Sequence, residues 1–221
     1  MFMSLRKCTL SSMSLRTIVC LGNSITAAKS VGVLEGWPAL LQIHLSQTEK
    51  WKVYNRGVPG ETIRDAGQRL EKDVTPLLPA FVLIEFGIND SSFLRTEDIP
   101  RVSPNDFGLC LEQVARRIKS AGGHPLLMVN HPLGQKDPLL PNRLRRQKHL
   151  DLYHTQTRTL ARKAKYPLVD LHHRLASTCM RRWRAHGLSH DGVHLTRRGH
   201  QLYAHALFQE LTPLFTRTPK R

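Results

Sequence analysis

The stretch TIVCLGNSIT, residues 17–26, runs from five apolar or β-branched positions into a turn of small residues and carries no charge. Such a run, without polar alternation, suits a strand covered on both faces, as in a parallel sheet. Gly22 ends it. From Trp37 the apolar residues Leu40, Leu41 and Leu45 fall on one helical face, with Pro38 tolerated in the first turn. The same strand-then-helix unit recurs outward. Strands are expected at 52–55 (KVYN), 81–86 (FVLIEF), 125–129 (PLLMV) and 168–171. A helix is expected over 62–74. A second opens at Ser103-Pro104 and carries Phe107, Leu111, Val114 and Ile118 inward, stopping at Gly122-Gly123. A basic helix with Leu150, Tyr153, Leu160 and Ala164 inward follows the loop at 131–143. A last helix, capped by Thr196, buries Tyr203, Ala206, Leu207 and Leu214. Strands alternating with crossover helices define an α/β fold with a parallel sheet of about five strands.

A chain of 221 residues with 40% hydrophobic residues fits one domain with a continuous core, expected over 17–216. Residues 1–16 are expected as a flexible basic leader and 217–221 as a basic tail. The leader repeats the string MSLR, so that Met13 is an alternative start. The four cysteines, Cys8, Cys20, Cys110 and Cys179, form no C-x-x-C pair and read as packing residues of a reducing compartment. No apolar run reaches the roughly 18 residues of a membrane span, and the expected location is cytoplasmic. Against 17 acidic residues stand 33 Lys and Arg, a formal charge of +16 that enriches anions near the surface.

Four short blocks carry the chemistry: GNSIT at 22–26, NRGVPGET at 55–62, GIND at 87–90 and DGVH at 191–194. The first three follow strands. In a parallel sheet the carboxyl ends of the strands share one edge, so these blocks converge although they are distant in sequence. Ser24, at a strand-to-helix turn, suits a nucleophile. A serine hydroxyl needs a base, and the base needs an acceptor that fixes its tautomer. His194 and Asp191 fit those parts, since a carboxylate three residues away in a turn can reach Nδ1 and leave Nε2 for Ser24. The Ser24 and Gly60 backbone N–H groups and the Asn89 side-chain amide are the candidate donors to an oxyanion.

With these blocks the chain resembles the SGNH or GDSL-type serine esterases, over roughly residues 17 to 215. That resemblance implies a three-layer α/β/α sandwich around a flavodoxin-like sheet and acyl-enzyme chemistry. Ser24, Gly60, Asn89 and His194 match the four name-giving residues, with Asp191 as the triad acid. WPALL at 37–41 and PLLM at 125–128 look like the bacterial thioesterase and lysophospholipase branch. One departure is that GDS reads Gly22-Asn23-Ser24 here.

The implied activity is hydrolysis of a carboxylic ester or thioester on a small substrate, anionic ones included, without cofactor. Acyl transfer at the same site is one alternative. A non-catalytic protein that binds anions or nucleic acid is the other, supported by RLRRQKH at 143–149 and RRWR at 181–184. No nucleic-acid module accompanies those runs, and no nucleic-acid partner is expected. His190 and His194 lie four apart, with His172, His173 and His186 nearby, but their segment reads as irregular rather than helical and no metal centre is expected. His131 reads as a loop residue that can line the substrate edge.

Overall fold

Five parallel strands form one sheet in the order β2-β1-β3-β4-β5: β1 Arg16–Gly22, β2 Trp51–Gly57, β3 Phe81–Glu85, β4 His124–Val129 and β5 Leu168–Asp170. They belong to a computed structural model that describes residues 16–47, 50–94, 99–134, 139–176 and 188–216. The leader up to residue 15, the tail, RRWR and two of the cysteines lie outside those residues, while Arg16, expected in the leader, opens β1; Cys20 and Cys110 are free thiols. No helix among the described residues is long and apolar enough to cross a membrane.

Helices cover both faces, as the unbroken apolar strands require. On one face α1, Trp37–Ser46, packs against the last helix, α6, Arg197–Thr216. Trp37 and Tyr203 meet there at 5.4 Å between ring centroids. On the other face α4, Pro104–Ser120, lies between α2, Ile63–Gln68, and α5, Arg146–Ala164. Phe107 meets Tyr153 edge-on, and the Tyr153 hydroxyl donates to the Val102 carbonyl at 2.6 Å. The result is the expected three-layer α/β/α sandwich.

Local chemistry sets the helix ends. Ser103 Oγ accepts from Asp106 N at 3.2 Å, the N-cap bond expected of Ser-Pro, and Thr196 Oγ1 accepts from Gly199 N at 3.1 Å before α6. The helix expected over 62–74 is two pieces, α2 and α3, Leu70–Asp73. Arg69 separates them. Its guanidinium donates to Glu61 at 2.7 Å, to Asp73 at 2.8 Å and to the Arg56 carbonyl at 2.9 Å. These charge-assisted bonds hold the backbone where the helical ladder breaks. Two inward assignments also differ: Ala164 is exposed in the last turn of α5, where Ala161 is buried instead, and Leu214 is only partly buried. Both lie in the last turn of their helix.

The chain steps from β1 to β2 on one side and then returns to β3 on the other. Strand order therefore reverses at β1, and a crevice opens between the carboxyl ends of β1 and β3, where ligands bind in open α/β sheets.

Candidate active site

Gly22 is the last residue of β1, and the next four residues turn back over the sheet edge. Asn23 is fully buried, and its Oδ1 accepts from Ile25 N at 3.0 Å. An Asp can make the same turn bond, so the departure from GDS leaves the local geometry intact. Thr26 anchors the turn from below, its hydroxyl donating to Glu85 at 2.5 Å. Ser24 sits above these anchors, 5% exposed.

Asp191 to His194 form a turn closed by His190 N to the His194 carbonyl at 3.0 Å, with Gly192 at φ +88°. Asp191 organises it. One carboxylate oxygen accepts from Val193 N at 2.9 Å and His194 N at 2.8 Å, and the other lies 2.6 Å from His194 Nδ1. Partial burial pushes the Asp191 carboxyl up. The bonds from the His194 ring, from the two backbone N–H groups and from the nearby imidazole charge outweigh that and hold it well below the usual carboxylate range. With Nδ1 committed to Asp191, His194 Nε2 faces Ser24 Oγ at 3.0 Å. Hydroxyl, imidazole and carboxylate thus stand in a line, in reach for proton transfer.

The two other blocks close the crevice. Val58 N donates to the Gly22 carbonyl at 3.0 Å, fastening the loop after β2 to the turn that carries Ser24. Gly60 follows at φ +84°, a conformation that favours glycine, with open space where a Cβ would stand. Asn89 donates one amide hydrogen to the Glu61 carbonyl at 2.8 Å, next to Gly60. The amide nitrogen carries a second hydrogen. Asp90, in the same block, is fully buried and accepts from Gly87 N and Ile63 N at 2.8 Å each. It ties the start of α2 to the turn that presents Asn89. Burial pushes its carboxyl up to about 6, against the opposing pull of those N–H groups and Arg101.

Glu85 lies at the floor of the site with no exposure. It accepts from Thr26 and, at 2.8 Å, from Asn130 Nδ2. Burial lifts its carboxyl to about 7 despite these hydrogen bonds.

The fold therefore brings Ser24, Asp191 and His194 into contact and sets Gly60 and Asn89 on the adjoining loop ends. Residues of the loop after β4 hold them in ways the sequence does not indicate. His131 does not line the substrate edge: it is buried, and its Nε2 lies 2.9 Å from the Val193 carbonyl, so Nε2 carries the proton. Burial above all pushes its pKa down to about 4, with the charges of His200, His154 and His194 adding to the effect. Gly134 N donates to the Gly192 carbonyl at 2.7 Å, and a Cβ at Gly134 would stand 2.8 Å from Gly192 Cα. The only sequence signal for these contacts was the loop position just after β4. A groove between α3 and α4, lined by Leu70, Val74 and Arg116 among others, opens near the opposite edge of the sheet and includes none of the site residues.

Sheet order, covering helices and the line of three polar groups at the switch point define an α/β/α hydrolase-type sandwich. The chain belongs to the GDSL-like lipase/acylhydrolase family, whose profile matches residues 20–202. It is 29% identical over 116 residues to the thioesterase 1/protease 1/lysophospholipase L1 of Escherichia coli K12, a match covering 51% of this chain and 50% of that one. It spans about half the length of that relative. Against the acetylxylan esterase of Geobacillus stearothermophilus the identity is 26% over 167 residues, covering 72% of each. The crystal structure of the lipase/acylhydrolase from Enterococcus faecalis superposes with a TM-score of 0.74 at 25% identity, over 93% of this chain and 99% of that one.

Proposed function

We propose that this chain hydrolyses small carboxylic esters or thioesters through an acyl-enzyme on Ser24. The observation that carries the reading is the continuous path from Ser24 Oγ through His194 to Asp191, with contacts of 3.0 and 2.6 Å. In the proposed reaction Ser24 Oγ attacks the acyl carbon while His194 Nε2 takes its proton. Asp191 keeps Nδ1 protonated and stabilises the imidazolium that forms. Backbone N–H groups of Ser24 and Gly60 and the second amide hydrogen of Asn89 donate to the oxyanion. As the tetrahedral intermediate collapses, His194 returns the proton to the departing alcohol or thiol. Water then attacks the acyl carbon with the same proton movements, releasing the acid and restoring Ser24.

Support for this substrate class comes from the family and from relatives described as a thioesterase and an acetylxylan esterase. A fluorophosphonate tests the nucleophile directly, because an activated serine displaces fluoride from phosphorus and keeps the phosphonyl group. The expected result is one adduct on Ser24 in the mass spectrum and none on Ser24→Ala. A folded wild type that takes no label, or a Ser24→Ala variant labelled at the same rate, overturns the reading. A panel of aryl esters, thioesters, lysophospholipids and acetylated sugars then ranks the substrates.

A further inference from the structure

Asp151, His154 and His172 bring one carboxylate and two imidazoles together, and the ester chemistry uses none of them. Asp151 and His154 are three residues apart on α5 and share a face of it. His172 follows β5 by two residues. One donor atom from each lies within 4.8 Å of the others. Asp151 Oδ1 stands 3.5 Å from His154 Nδ1 and 3.8 Å from His172 Nε2. Charge-assisted hydrogen bonds run at about 2.7–2.9 Å, so neither spacing is one. Metal–ligand bonds of about 2.0–2.1 Å in a tetrahedral site put neighbouring donors about 3.3–3.4 Å apart, close to the two spacings from Asp151.

His154 provides an independent sign. Its side chain is 2% exposed, yet neither ring nitrogen has a hydrogen-bond partner among the described residues. A buried imidazole without partners is costly, and a cation accepting one nitrogen lone pair relieves that cost. The carboxylate is already oriented, since Gln147 Nε2 donates to Asp151 Oδ1 at 2.9 Å. Arg158 is the opposing cation nearby, and Asp170 neutralises it through contacts of 2.7 and 3.1 Å.

We propose that Asp151, His154 and His172 form a site for a divalent transition-metal ion of the zinc type, with solvent as the fourth ligand. The sequence led to no such site, because two of its ligands lie on a helix far from the histidine-rich segment that holds the third. The ion joins α5 to the chain leaving β5. Gln147 extends that junction to the loop after β4, its Oε1 accepting from Leu133 N at 2.7 Å. That loop in turn holds the turn carrying His194. The site is therefore a clamp on the framework behind the general base.

Titration of chelator-treated, dialysed full-length protein with Co²⁺ tests the site, because tetrahedral cobalt absorbs visibly. One Co²⁺ per chain is expected, with tetrahedral absorption bands and a raised unfolding midpoint. His172→Ala and Asp151→Asn, on separate elements and neither fully buried, should each weaken binding by at least about 10-fold. His194→Ala should bind Co²⁺ as the wild type does. If one ligand variant fails to fold, the other decides. A wild type that binds no Co²⁺, an unchanged affinity in the folded ligand variants, or loss of binding in His194→Ala overturns the proposal.

Discussion

Ser24 stands at the end of a strand hydrogen-bonded on both sides, whereas His194 stands on a short turn steadied by the loop that leaves β4. On the serine side, turn and sheet are one piece: Gly22 is paired with Gly57 and Glu85, and Thr26 is bonded to Glu85 beneath it. On the histidine side, the organising contacts are the Asp191 carboxylate within the turn and two bonds from His131 and Gly134 outside it. The difference separates two kinds of damage. A change on the serine side is expected to strain the fold, and a change behind the histidine to move the His194 imidazole while the sheet stays standing.

The largest expected effect removes the chemistry from either side. Ser24→Ala should lower turnover of a small aryl ester by about 10⁴-fold or more, with the unfolding midpoint little changed. Asp191→Asn should cost about 10⁴ in kcat if the tautomer of His194 is what the carboxylate secures. A modest loss in either variant, measured on pure protein, would break the comparison at its root.

Next comes displacement of the His194 imidazole. Gly134→Ala places a methyl group against Gly192 and must shift the turn, so a kcat loss near 10²-fold with KM little changed is expected. His131→Gln, which keeps a side-chain donor toward Val193, should lose less kcat than His131→Ala.

Serine-side changes should be read in stability instead. Gly57→Ala would put a Cβ 2.2 Å from Ala27 N, and Asp90→Asn would set an NH₂ against one of two backbone donors. Chemical denaturation should show a loss of about 1–3 kcal/mol for each. If these variants instead stay fully stable and lose only kcat, the division between the two sides fails.

The smallest effect is in pH dependence. Burial lifts the Glu85 carboxyl from an ordinary 4.5 to about 7, so the native state holds a proton there that the unfolded chain has released. The stability this contributes is complete below about 4.5 and is lost as pH rises through about 7. His131 and His200, both pushed down to about 4 by burial, act in the opposite sense, their unfolded forms taking up protons as pH falls. Comparing Glu85→Gln with the wild type cancels the histidines. The stability difference between the two proteins should shift in favour of the variant between pH 4.5 and 7, and a constant difference would refute the assignment.

Much of the serine side was legible because its signals are local. TIVCL and FVLIEF read as buried strands, and the small residues after them read as turns. The parallel geometry then carried Ser24, Gly60 and Asn89 to one edge without knowledge of strand order. Asp191 and His194 were legible for a similar reason, since among the described residues the carboxylate bonds within its own turn. What stayed hidden depends on contacts between distant segments. The break at Arg69 arises from bonds to Glu61 and Arg56, outside any helical period. His131 could not be matched to Val193, nor Gly134 to Gly192, before the loop after β4 was seen against the turn. Asp90 was visible in GIND, but its bond to Ile63 required α2 to start beside it.

The contact between Gly134 and Gly192 leaves no room for even one methyl group. In mechanical terms it is a hard stop. The turn can recede from the loop but cannot advance into it, so the reach of His194 is gauged by backbone thickness instead of by a balance of soft attractions. Lengthening the segment between His131 and Gly134 by one residue would reset that gauge, even with every polar group at the site retained.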